Sequence, residues 1–324
     1  MPLSLAEYAD SLEQRNLIWP RVSAAVSVAA NPSIRPIPGL RAVLWDVYGT
    51  LLRVTDGRYG IVPAEELRLQ IALDKTIHEF NMWNHMYRKP GPPWQSMIGI
   101  YRSTIERLQM RASARGDITE VSVVEVWRQL IEKLFEKAYV IDEGLYGDVD
   151  EFAEKVAYFF HCCLQGLEAR EGAVHVMTDL SGREIRQGCL SDGPEFGLVQ
   201  LLRALSMQAV LPPLYELFGS GVVLFSSQLG VRKPSQSLFQ EAVSRLRTGG
   251  ISAEETLYVS CRLMTDLVPA RRLGMKTALL VSEKSGLEFS REVLQNPETR
   301  PDRLLTSLTQ VAALVRSEEH TSEL

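Results

Sequence analysis

Five short apolar runs punctuate this chain: Ala42–Trp45, Gly188–Leu190, Val222–Phe225, Leu257–Val259 and Thr277–Val281. Three to five apolar residues without alternation fit strands buried on both faces, and the segments between them are long enough for helices. Strands alternating with helices predict an α/β fold built on a doubly wound parallel sheet. The first run stops at Asp46 and meets Gly49-Thr50, as a buried strand feeding a tight loop would.

Between the first and second runs, residues 54–166 show helical periodicity and no convincing strand. Ser122 with Glu125 forms a capping-box pattern ahead of Val123, Trp127, Leu130, Ile131 and Leu134, which recur at helical spacing. Asp148 with Glu151 repeats it ahead of Phe152, Val156, Phe159, Phe160 and Cys163. Pro63 suits a first helical turn before Leu69, Leu73, Ile77 and Phe80. The stretch therefore predicts an inserted α-helical cap, broken by a loop at Lys89–Pro93. Such an insert sits over the C-terminal strand ends, where ligands bind in open α/β sheets. The expected organisation is an N-terminal arm at 1–38, a core from 39–53 and 167–315, a cap at 54–166, and an adaptor-derived or disordered tail at 316–324. In the arm, Ser4 and Glu7 cap a short helix with Leu5, Tyr8 and Leu12 on one face.

Composition excludes several classes. Lys plus Arg number 35 against 40 Asp plus Glu, giving a net charge of −5, so the basic surface that nucleic-acid binding needs is missing from the overall balance. No run reaches the length of a membrane span, and no basic-then-apolar leader opens the chain. The four cysteines include no CxxC pair, which argues for reduced thiols. A cytoplasmic protein is expected, without nucleic-acid or membrane partners and compatible with a homo-oligomer.

The chemistry-bearing residues fall in a fixed order. Asp46-Val47-Tyr48-Gly49-Thr50-Leu51-Leu52 resembles the first motif of the haloacid dehalogenase superfamily. Leu190-Ser191-Asp192-Gly193 resembles the second, Gly230-Val231-Arg232-Lys233-Pro234 the third, and the stretch from Tyr258 to Asp266 occupies the place of the fourth. The resemblance implies a Rossmann-like hydrolase core in which Asp46 attacks the substrate, Ser191 hydrogen-bonds the bound group and Lys233 neutralises the anion. The expected catalytic set is Asp46, Thr50, Ser191, Lys233 and Asp266, with Tyr48, Asp192, Arg262 and Arg88 facing a small anionic substrate.

Two departures bear on subtype. Phosphatases of this superfamily place a second Asp two residues after the nucleophile, where this chain has Tyr48. Their fourth motif opens Gly-Asp, where this chain has Ser260-Cys261, and thiol sulfur is a poor ligand for a hard cation. No cofactor is assigned; if Mg²⁺ is bound, its ligands would be Asp46, the Tyr48 carbonyl and Asp266. Tyr at that position and freedom from metal resemble the dehalogenase branch, although Arg262 stands where that branch has Asn. Three readings remain open: a metal-independent, 2-haloacid-dehalogenase-like hydrolase working through an aspartyl ester, a phosphatase of small phosphorylated metabolites, and an inactive binding module.

Overall fold

The computed structural model describes residues 1–86, 91–110, 116–183, 185–284 and 288–315. Its centre is a six-stranded sheet of β1 (Ala42–Trp45), β2 (Arg186–Ser191), β3 (Val223–Phe225), β4 (Thr256–Ser260), β5 (Lys276–Leu280) and β6 (Arg303–Leu305), in the order β6-β5-β4-β1-β2-β3. All neighbouring pairs run parallel. The expected strands are there, and β6 is one that the run of apolar residues did not announce, because Arg303 opens it at the sheet edge.

Alternation along β1 divides the core. Val43 and Trp45 pack with Leu257, Val259 and the helices Ala173–Ser181 and Gly197–Ser206. Ala42 and Leu44 pack on the opposite face with Leu190, Tyr258 and the helix Gln236–Thr248. Both faces are covered, which is why the strands read as unbroken apolar runs.

In chain order the longer helices before the second strand are α1 (Leu5–Glu13), α2 (Glu66–Glu79), α3 (Pro93–Gln109), α4 (Val123–Phe135) and α5 (Val149–Leu164). Capping boxes at Ser4/Glu7 and Asp148/Glu151 start α1 and α5, and Ser122 accepts the Glu125 amide at the start of α4. Pro63 corrects the expectation: it lies outside α2, which begins at Glu66, while Pro93 holds the first turn of α3. Helices α2 to α5 enclose their own core, with Leu73, Ile77, Trp127, Ile131, Phe152 and Phe160 buried. An antiparallel pair, Leu52–Val54 with Leu167–Ala169, forms the stem that joins this helical insert to the sheet. The insert is not purely helical, since Ile118–Thr119 pairs antiparallel with Val231–Arg232 of the core. No helix among the described residues is long and apolar enough to cross a membrane. The expected tail at 316–324 and residues 89 and 90 of the expected Lys89–Pro93 loop lie outside the described residues.

Candidate active site

Strand β1 delivers Asp46 to its C-terminal end, where the backbone must turn at once beneath the insert. Gly49 makes that turn with φ +103°, and a Cβ there would stand 2.6 Å from the Gly57 carbonyl. Only glycine fits without strain. The turn folds Thr50 back so that its hydroxyl donates to Asp46 Oδ2 at 2.8 Å while accepting the Cys261 amide at 3.1 Å.

Ser191 and Lys233 bind the same carboxylate, and Asp266 joins it through Lys233. Ser191, the last residue of β2, donates its hydroxyl to Asp46 Oδ1 at 2.9 Å and accepts the Val47 amide at 3.1 Å. Lys233 Nζ donates to the same Oδ1 at 2.8 Å, to Tyr258 Oη at 3.2 Å, and to Asp266 Oδ2. Its three donors are used, and its side chain is fully buried, as is that of Asp46. Asp266 also receives the hydroxyls of Ser260 at 2.8 Å and Thr265 at 2.7 Å. Thus Asp46, Thr50, Ser191, Lys233 and Asp266 form one hydrogen-bonded cluster.

The residues expected to face substrate divide. Arg262 stands beside Asp46, its Nη1 3.9 Å from Oδ2 and its Nη2 donating to the Tyr48 and Gly57 carbonyls at 3.1 Å each. Asp192 instead accepts the Lys233 backbone amide at 2.9 Å and so fixes the lysine's loop. Tyr48 directs its hydroxyl to Gln200 Oε1 at 2.6 Å, and Gln200 in turn meets His161 Nδ1 at 3.0 Å. The phenol therefore points along a buried chain into the insert. Arg88 lies outside the described residues, whereas Arg68 and Arg102 of the same insert pair with Asp56 and Glu66.

Electrostatics follow from this packing. Burial alone would raise the Asp46 carboxyl, but Lys233 and Arg262 outweigh it and hold the group below the ordinary carboxylate range. Burial works against the Lys233 charge, yet Asp266 and Asp46 raise its pKa above the ordinary lysine value. Asp192 is raised, chiefly by burial. Burial, with neighbouring Asp192, pushes Glu120 up to about 7. The Cys261 thiol is raised by burial and stays protonated, so it supplies no anion here.

The chemistry of the donor set tests a divalent metal. Of the three ligands that Mg²⁺ would use, the Tyr48 carbonyl already accepts from Arg262, whose guanidinium also faces Asp46 Oδ2. Asp266 is committed to Lys233, Ser260 and Thr265. A guanidinium beside two of the three oxygens does not fit a magnesium site, since cation and cation would compete for one space.

Sequence patterns missed two supports. Arg170 donates to the Thr50 carbonyl at 2.8 Å and the Gly49 carbonyl at 2.7 Å, bracing the turn from behind, with Glu283 at 2.7 Å balancing its charge. Tyr258 read as a core aromatic but holds both Lys233 and Asp266. Neither lies in a spacing that marks it.

Residues 230–311, which carry Lys233 and the Ser260–Asp266 loop, match the family model described as HAD-hydrolase-like. That segment of the chain is similar to this family. Relatives in sequence include the glyceraldehyde 3-phosphate phosphatase of Methanocaldococcus jannaschii, 37% identical over 111 residues that make up 34% of this chain and 43% of the relative. The Methanopyrus kandleri protein of the same name is 44% identical over 55 residues, 17% of this chain and 22% of that protein. The chain thus spans less than half the length of these curated relatives. In fold it is similar to the 2-haloacid dehalogenase of Pseudomonas syringae pv. Tomato DC3000, with a TM-score of 0.50 and 16% identity over 84% of this chain and 96% of that one.

Proposed function

We propose that this HAD-like protein is a hydrolase that forms an aspartyl ester at Asp46 without a metal ion, on a small carboxylate whose leaving group departs unprotonated, as a halide does. The observation that carries the reading is Arg262, a fixed cation against Asp46 Oδ2 and the Tyr48 carbonyl. Oδ1 already accepts two hydrogen bonds and Oδ2 one, so Oδ2 retains a lone pair for attack.

In the first step Oδ2 attacks the halogen-bearing carbon; the carbon–oxygen bond forms as the carbon–halogen bond breaks, and halide leaves with the electron pair. Arg262 stands ready for the substrate carboxylate, while Ser191 and Lys233 hold the other oxygen of Asp46. Water then adds to the Asp46 carboxyl carbon, and the 2-hydroxy acid departs as Asp46 regains its carboxylate. Asp266, one hydrogen bond from Lys233, is the carboxylate placed to take the released proton. No acid is needed for the leaving group, which suits a Tyr48 hydroxyl already bound to Gln200. With Asp46 and Lys233 sealed from solvent, the helical insert acts as a lid that excludes water from the first step.

A phosphate ester is the second reading, favoured by the phosphatase relatives. One screen separates the two. Incubation with 2-chloropropionate and with an aryl phosphate, each with and without a strong chelator, is expected to release chloride at a rate the chelator leaves unchanged. Phosphate release that requires Mg²⁺ and disappears in chelator would overturn the metal-free mechanism.

A further inference from the structure

The first 38 residues take no part in the pocket, yet they touch both sides of its closure. Helix α1 buries Tyr8 and Leu12 in the insert's core, where the Tyr8 ring meets Tyr146 edge-on at 6.1 Å. Arg15 binds Glu79 of α2, Lys75 donates to the Ile18 carbonyl at 2.6 Å, and Trp19 meets Phe159 of α5 at 5.6 Å. From the same helix, Asp10 and Glu13 both pair with Arg203 on the core helix Gly197–Ser206.

The chain then crosses the stem. A Cβ added at Gly166, beside the paired strand Leu167–Ala169, would stand 2.5 Å from the Pro20 carbonyl. Arg53 on the opposite stem strand donates to the Ser23 carbonyl at 2.7 Å. Beyond the stem the tether is tied to the core through Lys284 N to the Val26 carbonyl at 2.9 Å and Ser33 N to the Leu304 carbonyl at 2.8 Å. One stretch therefore binds the insert, bridges the stem and ends on the sheet edge.

We propose that this arm is a strap, anchored on the sheet edge and gripping the insert, whose hold across Arg203 and Gly166 sets how often the insert opens over Asp46. The pocket needs such an opening, because Asp46, Thr50 and Ser191 are all sealed from solvent. The strap does not depend on which bond Asp46 attacks.

The cysteines supply a readout that needs no substrate. Cys162 is half-buried and lines a cavity of about 150 Å³ closed by Leu12 and Trp19 of the arm. Cys261 is buried beside the nucleophile's turn, and Cys189 is buried within β2. In the full chain, the triple variant Asp10→Asn, Glu13→Gln, Gly166→Ala removes both charge partners of Arg203 and pushes the tether off the stem. Labelling with N-ethylmaleimide, mapped by peptide mass, is expected to accelerate about tenfold at both Cys162 and Cys261, the change that about 1.4 kcal/mol produces. Cys189 should remain unlabelled. Acceleration at Cys162 alone would overturn the proposal, because the arm would have come free while the insert stayed shut. Reaction of Cys189 in step with Cys261 would overturn it too, as unfolding rather than opening. A second variant, Tyr8→Ala with Leu12→Ala, removes the arm's deepest anchors; an unchanged rate at Cys261 there is equally fatal. Failure of the strap would leave the reaction assigned to Asp46 untouched.

Discussion

Asp46→Asn is expected to lower hydrolysis of any substrate the parent turns over by roughly 10⁴-fold or more, while the protein stays folded. The amide keeps the carboxylate's volume, and its oxygen can still accept from Ser191 and Lys233. Its nitrogen faces Thr50, whose hydroxyl can reverse from donor to acceptor. What disappears is the nucleophilic lone pair and its charge. A companion measurement tests the covalent step directly. After a single turnover in water carrying a heavy oxygen isotope, the label should appear in the Asp46 peptide, because water attacks the carboxyl carbon of the ester. Label only in the product, together with substantial activity in the asparagine variant, would remove Asp46 from the role of nucleophile.

Lys233→Met should be the most destabilising single change in the pocket, at about 3–5 kcal/mol near neutral pH, the range seen when one partner of a buried ion pair is removed. It leaves Asp46 and Asp266 facing each other without the ammonium that both now share. The pH dependence carries a sign. In the parent, Asp46 has a depressed folded pKa, so its contribution is present above the ordinary value of about 3.9 and is lost as pH falls through the lower folded value. Lys233 has a raised folded pKa, so its contribution is full below about 10.4 and is lost only as pH rises through the higher folded value. Without Lys233, burial should make Asp46 take up its proton at a higher pH than in the parent. The stability gap between variant and parent should therefore narrow on moving from neutral to mildly acidic buffer. Urea unfolding at two pH values measures this; an equal gap at both would mean that the lysine serves packing rather than charge.

What the sequence made legible follows from how each signal is written in it. Asp46 and Ser191 sit at or just beyond the ends of buried parallel strands, which announce themselves as apolar runs, so their convergence could be read before any coordinates, whereas Lys233 was placed by motif order. Capping residues at Ser4, Ser122 and Asp148 likewise fixed three helix starts, since a cap is a local interaction. Pro63 misled because a first-turn proline and a proline in the preceding loop look alike from spacing. Strand β6 and the short pair between Ile118–Thr119 and Val231–Arg232 were hidden, being edge or two-residue elements stabilised by partners distant in sequence. Arg170 was hidden for a related reason. Its acceptors are main-chain carbonyls of Gly49 and Thr50, and a carbonyl leaves no trace in residue identity.

The guanidinium of Arg262 fills a space bordered by Asp46 Oδ2 and the carbonyls of Tyr48 and Gly57, all oxygens, the ligand type that hard divalent ions take. Shortening that one side chain would exchange a tethered cation for a vacancy of the kind a diffusible one can occupy. Organic charge and inorganic charge are thus alternative tenants of a single room, and the thiol of Cys261 still withholds the carboxylate that a hard diffusible ion would want beside it.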